Sequence, residues 1–108
     1  MTDRGRVNRE DVLEALSIIC DAETQAPITR LGQLDSVEVG QDGSVEVSFH
    51  PVSPYTPLVL VAKLALDIAD TLRSLEGVRV FKVTISAHPL GDYLNRSLDK
   101  VLSPREAE

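Results

Sequence analysis

The chain is poor in cysteine. Cys20 stands alone, so an intrachain disulfide and paired-cysteine zinc spacings are excluded, and one thiol cannot supply the four ligands a simple iron-sulfur cluster takes. Tryptophan is absent and Phe and Tyr together make up 4% of the residues, which leaves no evident stacking platform for single-stranded nucleic acid. Basic residues are outnumbered 11 to 17, and the net charge of -6 argues against nonspecific attachment to nucleic acid or an anionic membrane. The unbroken apolar run of the central segment, Leu58 to Ala62, falls far short of the ~20 residues a membrane span needs. The start, MTDRGRVNRED, is polar and lacks an apolar secretion segment. HExxH, a phosphate-binding glycine loop and GxSxG are also missing. These absences predict a cytoplasmic protein without nucleic-acid or membrane partners. With no nucleophile-base set in view, the chain is expected not to be an enzyme.

What is present suits one domain. At 108 residues, 43% hydrophobic and 26% charged, residues 1–108 form a single unit with a core at about 9–102. Met1 to Val7 reads as a polar, mobile start and Ser103 to Glu108 as a frayed end. Asn8 is placed to cap a helix running from Arg9 to Cys20, whose apolar stripe is Val12, Leu13, Leu16, Ile19 and Cys20. On that stripe Cys20 is expected to be a buried thiol rather than a reactive one.

Asp21-Ala22-Glu23 follows at the negative end of the helix dipole, where paired carboxylates gain nothing in stability. Either Asp21 satisfies nearby backbone N–H groups in a solvated loop, or the pair has a function. Pro27 opens a short helical turn closed by Gly32, with Ile28 and Leu31 expected to point inward. Leu34–Val39 and Val45–Phe49 read as a hairpin around GQDG. Alternation puts Val37, Val39, Val45, Val47 and Phe49 on the core side, and Ser36, Glu38, Glu46, Ser48 and His50 on the other.

The best local signals lie between Phe49 and Ile85. Pro51, Pro54 and Pro57 stiffen a loop. Thr56 and Pro57 predict a helix start, with the Thr56 hydroxyl as cap, and Gly77 predicts its stop. Leu58, Val61, Ala62, Ala65, Ile68, Ala69 and Leu72 recur at helical spacing, opposite Lys63, Asp67, Asp70 and Ser74. Val59, Leu60 and Leu66 fall on the polar side, so either another element of the chain covers them or a partner does. Val78–Ile85 is a third strand, expected parallel to the second, with Phe81, Val83 and Ile85 inward. Asp92 can cap a last helix whose apolar side is Leu94, Leu98, Val101 and Leu102. The expected fold is α+β: a two-layer α/β sandwich in the order α-β-β-α-β-α, with helices on one face of a small mixed three-stranded sheet.

The order together with three motifs resembles the iron-sulfur cluster assembly domain family, which includes SufT-like and PaaD-like proteins and the cytosolic iron-sulfur targeting factors that bind the MMS-nineteen scaffold. Asp21 and Glu23 match its Asp-Pro-Glu motif, with Ala22 in place of proline. Leu31-Gly32 and Leu34 match a leucine-glycine step into the first strand, and HPVSPYTP resembles the proline-containing loop before the main helix. The resemblance covers about Glu10 to Asp99. In the family a cysteine usually stands where this chain has Thr56. A thiolate at a helix start is stabilised by unpaired N–H groups and the positive dipole end, and threonine forgoes that reactivity.

The resemblance implies a non-enzymatic maturation factor or adaptor helping to deliver iron-sulfur clusters. Its partners would be assembly proteins or recipient apoproteins, met through Asp21, Glu23, Pro54, Tyr55, Thr56, Val59 and Leu66. It implies no stably bound cofactor, with iron or a cluster held transiently at most. Cys20, Asp21 and Glu23 are the candidate metal ligands, and His50 and His88 are further ones. Two other functions stay open: an accessory subunit of an oxygenase or reductase complex, or a structural or ligand-sensing homodimer built on the central helix.

Overall fold

Three strands, each six residues long, set the frame. The structure, a computed structural model, describes residues 7–102. Helix α1 (Arg9–Leu16) leads to β1 (Leu34–Val39) and β2 (Ser44–Phe49); helix α2 (Leu58–Ser74) then crosses to β3 (Val80–Ile85), and α3 (Gly91–Leu102) closes the chain. β2 is central, antiparallel to β1 and parallel to β3. The expected order and mixed sheet are borne out. The expectations for residues 1–6 and 103–108, and for the side chain of Leu102, lie outside the described residues.

The sheet has one dry face because apolar residues alternate in register across it. Val37 pairs with Val47 and Val47 with Val83, while Phe49 pairs with Ile85. All are buried against Val61, Ala65, Ile68, Ala69 and Leu72 of α2 and Leu94 and Leu98 of α3 in one apolar cluster. Fully burying a side chain such as Phe49 or Leu72 stabilises the fold by about 1.5–3 kcal/mol relative to leaving it exposed. The opposite face carries Ser36, Glu38, Glu46, Ser48, Lys82 and Thr84 and is left open. Polar side chains also seal the sheet edges. Arg9 Nε donates to the Val37 carbonyl at 3.0 Å, and Asn95 both accepts from the Ile85 N–H (2.8 Å) and donates to its carbonyl (3.0 Å).

Several local expectations need correction. Asn8 does cap α1, in a reciprocal box with Asp11, but the helix ends at Leu16 rather than Cys20. Ser17 turns its hydroxyl onto the Glu14 carbonyl, and the chain becomes extended so that Cys20 bridges Pro27. Ile19 stays buried in the extended form, and alternation then puts Cys20 outside: the thiol is exposed. Val7, assigned to the polar start, is buried in the core. In the turn after Pro27, Ile28 is buried but Leu31 is exposed, because the turn has only one inner side. Val101 is exposed as well. Asp92 lies inside the first turn of α3 and does not precede it as a cap.

The start of α2 is the correction with consequences. Pro57, with φ -55° and ψ 140°, is the cap residue, and no side chain caps the helix. The Thr56 hydroxyl instead accepts the Ser53 N–H at 3.3 Å while the Thr56 N–H donates to the Ser53 carbonyl at 3.0 Å, so the side chain closes the preceding turn.

Candidate functional site

A pocket of about 60 Å³ lies where the loop after α1, the proline loop and the first half of α2 meet. By the measure in which one water-sized sphere occupies about 10–15 Å³, it admits a few atoms. Its wall is Pro51, Leu60, Val61 and Leu64, and its polar lining is Cys20, Asp21, Glu23, Gln33, Thr56, Lys63 and Asp67.

The acidic side of the pocket is built by Asp21. Though 7% exposed, its carboxylate is anchored by Oδ2, which accepts the N–H groups of Glu23 and Thr24, each at 3.0 Å. That turn is held in a short ladder, with the Asp21 N–H on the Ala26 carbonyl (2.9 Å) and the Gln25 N–H on the Asp21 carbonyl (2.7 Å). Asp21 thus satisfies local N–H groups, one of the two readings open from sequence. It also holds exposed Glu23 at the rim. No described basic group pairs with either carboxylate, and Lys63 is held by Asp67 at 2.9 Å.

Gln33 is the polar residue that sequence reasoning missed. It is 1% exposed, its Nε2 donates to the His50 carbonyl at 3.0 Å, and its Oε1 has no hydrogen-bonding partner. The backbone is equally committed: the His50 N–H donates to the Gln33 carbonyl at 2.9 Å. A glutamine between a glycine and a strand looks solvated in sequence, and only the fold reveals that His50, just past the end of β2, pairs with both its backbone and its side chain.

The structure brings Asp21, Glu23, Cys20 and Thr56 together around this pocket. Pro54 and Tyr55 stand outside it, Tyr55 being 89% exposed. Val59 and Leu66, one stripe round α2 from Leu60 and Lys63, are 72% and 40% exposed, so no other described element fully covers them. As metal ligands Cys20, Asp21 and Glu23 are neighbours but do not converge: among the described residues no group of three His, Cys, Asp or Glu is arranged to hold a metal ion.

The histidines are occupied elsewhere. His88 Nδ1 accepts the Leu90 N–H (3.1 Å), which leaves the proton on Nε2 to be donated to the Thr56 carbonyl (2.9 Å). His50 Nδ1 meets Asp35 at 2.8 Å, and Ser86 donates to the other oxygen of Asp35 at 2.6 Å. Neither ring lines the pocket. What the pocket offers is acceptors, an aliphatic wall and an unpaired negative rim.

The chain is similar to known proteins in sequence and in fold. The profile of the family described as "Iron-sulfur cluster assembly protein" matches residues 9–85. A relative in Methanocaldococcus jannaschii, the uncharacterized protein MJ1129, is 33% identical over 92 residues, covering 85% of this chain and 95% of its own. A conserved hypothetical protein from Thermotoga maritima, TM0487, superposes with a TM-score of 0.64 at 21% identity over 94% of this chain and 97% of its own. That last likeness speaks for the fold alone.

Proposed function

The chain belongs to the iron-sulfur cluster assembly protein family, and from that premise we propose that it serves as a non-enzymatic adaptor in the maturation of iron-sulfur proteins. In this reading it meets assembly proteins or recipient apoproteins at the pocket end of α2. The cluster is cargo, passed between partners, and this chain guides the encounter instead of binding the cluster through a reactive thiol.

The observation that carries the reading is a juxtaposition. The acidic motif and Thr56 line one pocket with Leu60 and Lys63, and the exposed Val59 and Leu66 stand on the adjoining stripe of α2, although these residues are spread over about half of the chain. Exposed apolar side chains beside a polar pocket are the usual make-up of a protein contact. Thr56 replaces the thiol that the resemblance would put there, and since its hydroxyl closes the 53–56 turn, the loop keeps its shape without that group.

Affinity capture from a native extract under anaerobic conditions tests the proposal. The expected result is recovery of cluster-assembly proteins or cluster-containing recipients. A preparation that captures neither contradicts it. Thr56→Cys is the companion variant: if the pocket can hold cargo once a thiol is supplied, iron content after anaerobic loading rises above wild type.

A further inference from the structure

Gln33, one of the residues lining the pocket, carries a buried acceptor without a donor, and this narrows what could pair with it. Leaving such a group unpaired is costly enough that native structures rarely do it without a water, an ion or a ligand to complete it. Gln33 Oε1 is that group. The Gln33 amide nitrogen is already fixed on the His50 carbonyl at 3.0 Å, so the side chain cannot turn to offer a donor instead. Whatever pairs with it must bring an N–H or O–H.

Charge narrows the choice. Asp21 and Glu23 line the same pocket with no described cationic partner, whereas Lys63 is held by Asp67. The uncapped start of α2 favours anions. A carboxylate, however, brings no proton for Gln33 Oε1, and any anion would meet Asp21 and Glu23. A bare metal ion needs ligands that converge, and among the described residues no three His, Cys, Asp or Glu do so. The remaining wall is aliphatic: Pro51, Leu60, Val61 and Leu64. Size sets the last limit, because about 60 Å³ admits only the tip of a side chain.

We propose that this pocket is a receptor for a primary ammonium group on an aliphatic stem. In this arrangement Gln33 Oε1 accepts one N–H, the Asp21 and Glu23 carboxylates balance the charge, and the stem packs on Leu60, Val61 and Leu64. The proposal deepens the adaptor reading and rests on it for the source of the group, a lysine side chain of the partner protein. A free aliphatic amine carries the same chemistry, and the test separates the two.

The ¹⁵N-labelled full chain is titrated at neutral pH with n-butylamine hydrochloride, with a lysine blocked as Nα-acetyl-lysine N-methylamide, and with butan-1-ol, while the Gln33 side-chain amide and the Glu23 backbone amide are followed by NMR. Both amines are expected to shift these signals and butan-1-ol to leave them near their starting positions. Tighter binding of the blocked lysine identifies a protein side chain as the source, and tighter binding of butylamine identifies a free amine. Gln33→Met should weaken amine binding about tenfold, the loss expected for a hydrogen bond to a charged group. Glu23→Gln, at an exposed position where folding is not at risk, should weaken it about two- to fivefold. Absence of any shift with either amine, or equal shifts with butan-1-ol, overturns the proposal and leaves the pocket to water. Failure here with cluster proteins still captured from extract removes only the ammonium site. Amine binding without such capture removes only the adaptor reading.

Discussion

The two ends of the sheet are built on opposite principles. At the hairpin end, the Gly40 N–H donates to the Ser44 carbonyl (2.8 Å), the Gly43 carbonyl accepts the Arg79 N–H (2.8 Å), and Asp42 takes both the hydroxyl (2.8 Å) and the N–H (3.2 Å) of Ser44. Polar groups there are spent on the fold itself. At the pocket end, Gln33 Oε1 is unpaired, Asp21 and Glu23 have no described cation, and Val59 and Leu66 face outward. The same sheet and the same helix run between the two ends, so the difference does not come from a weaker scaffold. It separates an end whose polar groups are paired within the chain from one where the Gln33 acceptor is left unpaired and apolar side chains face outward.

The comparison is broken most forcefully at the closed end. A Cβ on Gly43, at φ +88°, would lie 2.7 Å from the Gly77 carbonyl oxygen and 2.9 Å from the Arg79 side chain. Gly43→Ala combines left-handed strain with a backbone clash and should cost about 2–3 kcal/mol in denaturant unfolding. Gln33→Met, at the open end, loses the bond to the His50 carbonyl but removes an orphan acceptor, so its unfolding free energy should stay within about 1 kcal/mol of wild type. A Gln33 variant that destabilised the protein more than Gly43→Ala would reverse the assignment of the two ends. The double variant Val59→Ser, Leu66→Ser should change stability by no more than about 0.5 kcal/mol per site while reducing capture of partners.

The smallest effect sharpens the contrast by pH. Hydrogen bonds from the Ser44 hydroxyl and then the Ser44 N–H hold the Asp42 carboxyl below its ordinary value of 3.8. A carboxylate whose folded pKa is depressed contributes stability that is present above the unfolded pKa and disappears as pH falls through the folded one. The Ser44 amide resonance should therefore be steady at neutral pH and move only below the ordinary carboxylate range. Asp42 is fully exposed, so the accompanying change in stability should be slight. Asp42→Asn should abolish that movement.

The sequence was most legible where one physical requirement acted alone. Alternation in the strands had a single burial pattern to satisfy, and the Asn8–Asp11 box had a helix start to fill. Legibility failed where two structures met the same requirement. Ile19 is buried whether the chain is helical or extended, so the stripe could not reveal that α1 stops at Leu16 and that Cys20 turns outward. The Thr56 hydroxyl had a choice of N–H groups and took that of Ser53. The covering of Val59 and Leu66 depends on neighbours that periodicity cannot place. As for the site, the family motifs drew attention to Asp21, Glu23 and Thr56, yet nothing local to Gln33 indicated that it would be buried and paired with His50.

The central claim is that the incomplete end of the sheet is where the chain meets iron-sulfur proteins. Parallel anaerobic capture with wild type, with Val59→Ser, Leu66→Ser, and with the hairpin variant Gln41→Ala tests it most directly. The account predicts that wild type and Gln41→Ala retain cluster-assembly or cluster-containing partners and that the α2 double variant loses them. Equal capture by all three, or no such partner with any of them, would contradict it.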